Sequence, residues 1–579
     1  MSGSLPSIFG RLARLTDRSA DAAHRAVVRN LADTRGFAGL SHLPPLRPGD
    51  FERGRAALHG DLVLGGRHFS VEAATPWDDP LDPPFDHGLH AFDWLQDFAA
   101  LGSKPARLRA LAWSLGWLDR FADGSGPGWD APVAARRLEN LLSALPFLEP
   151  ALTDQTGARL TDTLPLHLAY AMSCWTSEPL PDRRLKCLAG IVGAAACLKG
   201  FEAEEAEYSA ILERQISEHL LPHGALSARN PAAALAVLED LIRTRDVLLA
   251  AGKPRGGALM RGIDAMALTL RTVRHGDGSL ARFHGGGAAG TARLDRALAQ
   301  ARTRRRPSEE PHMGFVRLHG GRVVAIMDCG RPPGGADAVS GHASTLSFEM
   351  SSGRRPVLVN VGPGATFGAA WARSPRTTAA HNTLALDKTS SSQLTPKGRD
   401  DRAGPALLMT RPSMVTVSQA RDHTGMWLQA RHDGYLQDYG LVHERRFFVS
   451  ALGAEVHGED VLLAPDQKSE RRFQQRIKGA EKLGVALSLH FHLHPEVAVE
   501  HDPAADRLTL RLANGELWTF RQAGGLIELE TSAYLDPEAP EPQRTRQIVV
   551  RARALTHNAT LNWSLVRADS AAGPARRDV

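Results

Sequence analysis

A chain of 579 residues exceeds what one hydrophobic core organises, so two or more domains are expected. Its 43% apolar and 23% charged residues give the balance of a globular protein rather than a disordered or fibrous one. The formal charge of +5 is a mild excess that suits a polyanionic ligand or an ordinary basic surface; no RNA-binding, zinc-finger or basic-zipper pattern accompanies it, so nucleic acid is not an expected partner.

The first thirty residues, MSGSLPSIFGRLARLTDRSADAAHRAVVRN, have apolar stretches broken by arginines and no clear cleavage site, so they do not read as a signal peptide. No run of about 18 apolar residues follows, so no transmembrane helix is expected. A cytoplasmic location is the direct expectation from the chain itself. The segment ALHGDLVLGGRHFSVEA alternates with glycine and predicts a small hairpin. Helices come next. Leu108, Leu111, Leu115 and Leu118 share one helical face. Leu138, Leu141, Leu142 and Leu145 mark a second helix, ended by Pro146. Leu185, Leu188, Ile191 and Val192 mark a third. A fourth carries Leu235, Leu238, Ile242 and Leu249, with Asn230 and Pro231 as cap and first-turn residue. The helical array runs to about residue 272. Four cysteines, Cys174, Cys187, Cys197 and Cys329, form no CxxC pair and no zinc spacing; free buried thiols are expected, as a reducing compartment favours.

The glycine-rich GDGSLARFHGGG, a short helix and the charged TRRRPSEEP follow, and the last is the expected domain boundary. This divides the chain into residues 1–300, a linker at 301–311, and 312–579. Beyond it the period changes to two. FVRLHG, RVVAIMDCG, STLSFEM, PVLVNVG, HNTLALD, LVHERRFFVS, LSLHFHLHP, RLTLRLAN, LWTFRQ and QIVVRARAL read as strands, without an intervening helical pattern, which predicts a β-sandwich or related all-β unit. The fold class is therefore α+β and multidomain: an all-α part followed by an all-β part.

The chemistry-bearing residues gather near residue 350. His342 stands at the entry of one predicted strand, Asn360 lies in the middle of the next, and His381 precedes a third. Imidazoles bind metals and move protons near neutral pH, and a buried amide must find partners. His490, His492 and His494 alternate along one strand face, a pattern that fits a metal ladder or a packed sheet face.

GHASTLSFEMSSG, PVLVNVGPGA, RTTAAHNTLALD, HDGY with LVHERRF, and HLHP together resemble the heparinase II/III-like family of bacterial polysaccharide lyases. RRLENLLSAL, GALSARNPAAALAVLEDL and DGSLARFHGG extend the resemblance into the helical half. It implies an N-terminal α/α toroid, a C-terminal antiparallel β-sandwich, a substrate cleft between them, and β-elimination on an acidic, uronic-acid-containing polysaccharide. That reaction needs a neutralised carboxylate, a base for the C5 proton and an acid for the leaving oxygen. The resemblance implies Zn2+ on His342, Asn360 and His381, although Asn360 stands where the family has an aspartate, and an amide is the poorer zinc ligand. The family's catalytic histidine corresponds to Ser340 and its helical tyrosine and adjoining histidine to Ala233 and Ala234. The substitutes nominated for catalysis are Tyr435, His284, Arg229 and Arg184; Asn230, Arg183 and Arg376 are nominated to hold substrate. A catalytically divergent carbohydrate-binding or envelope-polysaccharide assembly protein is the alternative, and a glycosidase using Glu139, Glu239 or Asp240 a third. The resemblance favours the cell envelope over the cytoplasm, and a homo-oligomer is left open.

Overall fold

The computed structural model describes residues 21–31, 36–41, 44, 48–64, 67–71, 75–78, 86–303, 305–396, 406–479 and 484–568. These form two compact units. One takes in the chain up to Pro222 together with Ala236–Ala265. The other takes in His223–Leu235 and the chain from Met266 onward. Residues 266–300 thus belong with the sheets rather than with the preceding helices.

The first unit opens with the expected hairpin, β1 (Asp61–Leu64) and β2 (Arg67–Ser70), paired in the antiparallel register Asp61↔Ser70. Helices then occupy Lys104–Phe121, Ala131–Leu148, Asp154–Cys174, Pro181–Cys197 and Glu202–His219. The predicted leucine faces on these helices are buried at Leu111, Leu118, Leu138, Leu141, Leu142, Leu185 and Leu188, whereas Leu108, assigned to the first face, is exposed. Pro146 does not end its helix, which continues to Leu148. A proline in the last turn forfeits one intrahelical bond, but Leu145 and Leu148 are buried beside it and packing retains the turn. Further helices span Pro231–Ala250 and Gly257–Thr272, and Asn230 caps the first of them, its Oδ1 accepting from Ala233 N at 3.0 Å. All four cysteines are free.

Among its described residues the second unit holds three larger antiparallel sheets and one two-stranded pair. The first pairs β3 (Phe315–Gly320), β4 (Val323–Asp328), β5 (Phe348–Ser352) and β6 (Arg355–Leu358) in that order. The short strands β7 (Leu384–Leu386), β8 (Gln393–Leu394) and β9 (Leu408–Thr410) follow. Next come β10 (Val415–Arg421), β11 (Gly425–His432), β12 (Val442–Ser450) and β13 (Glu455–Leu463), then β14 (Val485–His492), β15 (Ala498–Asp502), β16 (Arg507–Arg511) and β17 (Leu517–Ala523). The chain closes with β18 (Leu526–Tyr534), β19 (Gln543–Ala554) and β20 (Asn558–Arg567). A four-stranded sheet runs β18-β19-β14-β7, and an eight-stranded one β10-β11-β12-β13-β20-β17-β16-β15. Their inner faces share one core, in which Phe348 stacks on Trp563 at 5.5 Å and meets Phe447 edge-on at 4.8 Å.

Three expectations need correction. A helix, Gln467–Gly479, interrupts the strands; Phe473 and Ile477 are buried one turn apart, an i,i+4 signal obscured by a heavily charged sequence. STLSFEM is strand only from Phe348: Leu346 has φ +62°, a left-handed conformation that breaks the extended run. Asn360 is not mid-strand, because β6 ends at Leu358 and the Asn360 amide is given to the Glu349 carboxylate at 2.7 Å instead of to a neighbouring strand.

Candidate functional site

Asp328, the last residue of β4, organises the region that the sequence singled out. It is fully buried at the end of an all-apolar strand, so its charge must be compensated on the spot. Arg229 supplies an ion pair through Nη2, Ser344 Oγ donates at 2.6 Å, and Gly330 N donates at 3.2 Å. The Arg229 cation and these hydrogen bonds hold the carboxyl well below the usual carboxylate range, against the opposing effect of burial. Arg229 also donates to the carbonyls of Met313, Gly314 and Arg331 and lies over the Phe315 ring at 4.7 Å. Its guanidinium is spent on structure. Arg229 and His284 both have positive φ, +51° and +48°, a conformation that costs on the order of 1–3 kcal/mol for a residue with a side chain and persists only where surrounding bonds enforce it.

The histidines follow from Asp328 in sequence of contact. His284 Nδ1 accepts from His342 N at 3.2 Å, so its proton sits on Nε2. That nitrogen lies 3.3 Å from Asp328 Oδ2, near enough for electrostatic attraction but off the line of a hydrogen bond. His381 Nδ1 donates to Thr377 O at 2.8 Å, which leaves Nε2 bare to accept from His342 Nδ1 at 3.2 Å. The two rings meet edge-on with centroids 5.3 Å apart. Burial lowers the pKa of all three: His381 to about 4, His342 well below 6.5, and His284 less strongly because Asp328 opposes the shift. All three are neutral at pH 7.

Asn360 approaches from a third loop. Its Oδ1 accepts from Asn382 N at 3.2 Å and its Nδ2 donates to Arg282 O at 3.4 Å. Glu349 fixes this loop by accepting from Asn360 N at 2.7 Å and Arg282 N at 2.8 Å. A second buried network holds the loops from the other side. Arg445 donates to Leu346 O and Asn382 O, and pairs with Asp460 at 2.8 Å. Asp460 also receives His443 Nε2 at 2.7 Å and Trp563 Nε1 at 2.9 Å, and His443 Nδ1 accepts from His432 Nε2 at 3.2 Å. The loops carrying His342 and His381 are therefore pinned by a guanidinium that itself touches no solvent.

The structure brings together Arg229, Asn230, His284, His342, Asn360, Arg376 and His381, all in the second unit. Asn230 Nδ2 reaches His284 O at 3.1 Å, and Arg376 donates to the carbonyls of Gly341 and Ala338 at 2.9 and 2.8 Å. Both are braces for this region, a different task from the substrate holding nominated for them. Tyr435 is not poised for proton transfer. It is wholly buried, its hydroxyl donates to Leu384 O at 2.8 Å, and burial pushes its pKa above the ordinary tyrosine value. Arg183 and Arg184 belong to the other unit. There Arg183 pairs with Asp130 and with Glu178 at 2.7 Å, and Arg184 Nη2 donates to Glu178 O at 2.8 Å. The alternating histidines of β14 are also committed: His490 to Ser488 and Gln547, His492 to Ser532 and Ala379 O. Sequence reasoning missed Asp328, Glu349 and Asp460. A lone carboxylate inside an apolar strand, as in VVAIMD and LSFEM, was the available signal.

The donor set does not suit zinc. Two imidazoles converge, but their facing nitrogens bond each other, and the third position is a neutral amide whose oxygen already accepts one backbone bond. Among the described residues no group of three His, Cys, Asp or Glu side chains forms a metal-binding cluster.

Residues 302–564 match the family profile described as heparinase II/III-like, C-terminal. The C-terminal part of the chain is thus similar to the heparinase II/III-like family. Among solved structures, heparinase III has the same fold, with a TM-score of 0.68 over 94% of this chain and 89% of that one, at 11% identity. Heparan sulfate lyase HepC from Pedobacter heparinus gives 0.55 over 96% and 90%, at 14% identity. The fold is accordingly the helical toroid and antiparallel sandwich of that family. A curated relative, FtsZ-localized protein C of Caulobacter vibrioides, is 29% identical over 92% of this chain and 91% of its own length. Among the described residues no helix is long and apolar enough to cross a membrane.

Proposed function

We propose that this chain is a heparinase II/III-like protein that has kept the lyase scaffold without its proton-transfer machinery, and that it works as a binding protein which localises with FtsZ. The observation that carries the reading is the fate of the candidate acids and bases. Tyr435 is sealed against Leu384 O, and His284 and His381 are buried and internally bonded. The position resembling the family's tyrosine holds Ala233, which has no proton to move. A general base works best with a pKa near the operating pH; burial lowers His284 and moves His342 and His381 further below that range. The name of the Caulobacter relative, similar along nearly the full length of both chains, supports the FtsZ part.

Two measurements test the proposal. Purified full-length protein incubated with a panel of uronic-acid polymers should yield no unsaturated uronate chromophore. A fluorescent fusion, imaged with FtsZ in the native host, should coincide with it; a uniform distribution would count against the reading. The rival is β-elimination on an acidic polysaccharide. One feature favours it: His342 Nε2 is the nitrogen left over by the histidine bonds, with no partner among the described residues. Time-dependent chromophore that disappears in His342→Ala would establish the rival instead.

A further inference from the structure

The outer face of the eight-stranded sheet carries a feature that the histidine region does not explain. Five adjacent strands place Trp427, Phe448, His457, Ser564 and Arg521 in one row, since Trp427↔Phe448, Phe448↔His457, His457↔Ser564 and Ser564↔Arg521 are all register partners. At strand spacing the row is ~19 Å long. It lines a groove of about 520 Å³. Trp427 is 46% exposed although it is one of the largest apolar side chains. Its ring lies 4.2 Å from that of Phe448 at 38°, and Phe448 continues to His457 at 6.0 Å and 31°. The result is a shallow aromatic shelf open to solvent, backed by the buried core.

The polar side of the groove is unevenly satisfied. Arg446 is neutralised by Glu459 at 2.7 Å and Glu444 at 3.0 Å, and His457 meets Glu455 at 3.0 Å. Arg521, Asn562 and Ser564 have no side-chain partner among the described residues. The groove therefore offers one uncompensated guanidinium, an amide and a hydroxyl beside an aromatic shelf.

We infer that this groove is a binding site for an acidic oligosaccharide, separate from the histidine region. The size decides against a folded protein partner: stable interfaces need roughly 800 Å² from each side, whereas this groove has small-ligand volume. Its position decides against an added peptide strand. All five strands of the row are paired on both sides, so their backbone groups are spent, and strand addition needs a free edge. A ligand here must be held by side chains alone. A sugar ring meets that condition: its C–H face packs on Trp427 and Phe448, its hydroxyls bond Asn562 and Ser564, and its carboxylate takes Arg521. This inference stands apart from the FtsZ reading, because either can fail without the other.

The test uses the full chain and isothermal titration with three probes: a hyaluronan hexasaccharide, neutral cellohexaose and hexaglutamate. The acidic sugar should bind wild type at least tenfold more tightly than cellohexaose. Trp427→Ala should weaken both sugars at least tenfold, and Arg521→Gln should bring the two sugars within about threefold of each other. Both residues are exposed, and far-ultraviolet circular dichroism and the melting temperature confirm that each variant is folded. Unchanged affinity in Trp427→Ala, no sugar binding to wild type at millimolar concentration, or binding of hexaglutamate in preference to the sugar would each overturn the assignment.

Discussion

Asp328→Asn removes one charge and leaves the shape of the side chain intact, so its effect isolates the electrostatic role of the hub. In the wild type the carboxylate receives Arg229, Ser344 and the Gly330 amide in a fully buried place. The amide retains at most one acceptor oxygen and points an N–H₂ at a donor. Arg229, itself buried, is left with an uncompensated charge. Breaking one partner of a buried pair costs about 3–5 kcal/mol. For a unit of this size ~1 kcal/mol shifts the melting temperature by roughly 2 °C, so a fall of about 6–10 °C is expected by scanning calorimetry. Arg229→Met relieves the stranded charge but abandons three carbonyls. The double variant should thus be destabilised by at least ~1 kcal/mol less than the sum of the two single variants. The sign with pH follows from the depressed carboxyl: its contribution is fully present above the unfolded value near 4 and is lost as pH falls through the lower folded value. A variant that melts within 2 °C of wild type at pH 7, or strictly additive double-variant losses, would refute the hub.

The histidine pair predicts a second pH effect. His381 is held at about 4 by burial against an ordinary 6.5, so its contribution is present above pH 6.5 and lost as pH falls toward 4. A difference of that size corresponds to roughly 3 kcal/mol; the unfolding midpoint in urea should drop between pH 7 and 5, and a ring proton of His381 that titrates near 6.5 in the native protein would contradict this. Chelation with EDTA should leave the melting temperature unchanged. Asn360→Asp supplies the missing carboxylate but sets it near Glu349 and forfeits the bond to Arg282 O, so about 1–3 kcal/mol should be lost in metal-free buffer and recovered on adding zinc. Tyr435→Phe deletes one buried hydroxyl bond and should cost about 1 kcal/mol without altering oligosaccharide binding by titration.

Much of the architecture is carried by local pattern. The leucine faces at 3.6 spacing, the Asn230 cap, the hairpin at Asp61–Ser70 and β3, β12 and β14 follow from side-chain periodicity and turn chemistry, which act within a few residues. The resemblance to the heparinase II/III-like family was legible in short segments because backbone loops around residue 350 demand particular small and polar residues. His342 and His381 lie in those segments, while Arg229, Asn230 and His284 come from GALSARNPAAALAVLEDL and ARFHGGG.

What those residues do was decided by the tertiary structure. Nothing local distinguishes a histidine bonded to another histidine from one facing a substrate, and Tyr435 reads as a candidate acid or base until its hydroxyl is placed on Leu384 O. Asp328 and Asp460 go unnoticed in sequence, because a carboxylate signals a hub only once the distant guanidinium and imidazole partners are placed around it. The row that joins Trp427 to Arg521 depends on register among five strands drawn from residues 425–567. Period and propensity determine which face a residue takes on its own strand. Only long-range pairing determines what stands beside it, because that choice is settled by burial and charge compensation across the whole unit.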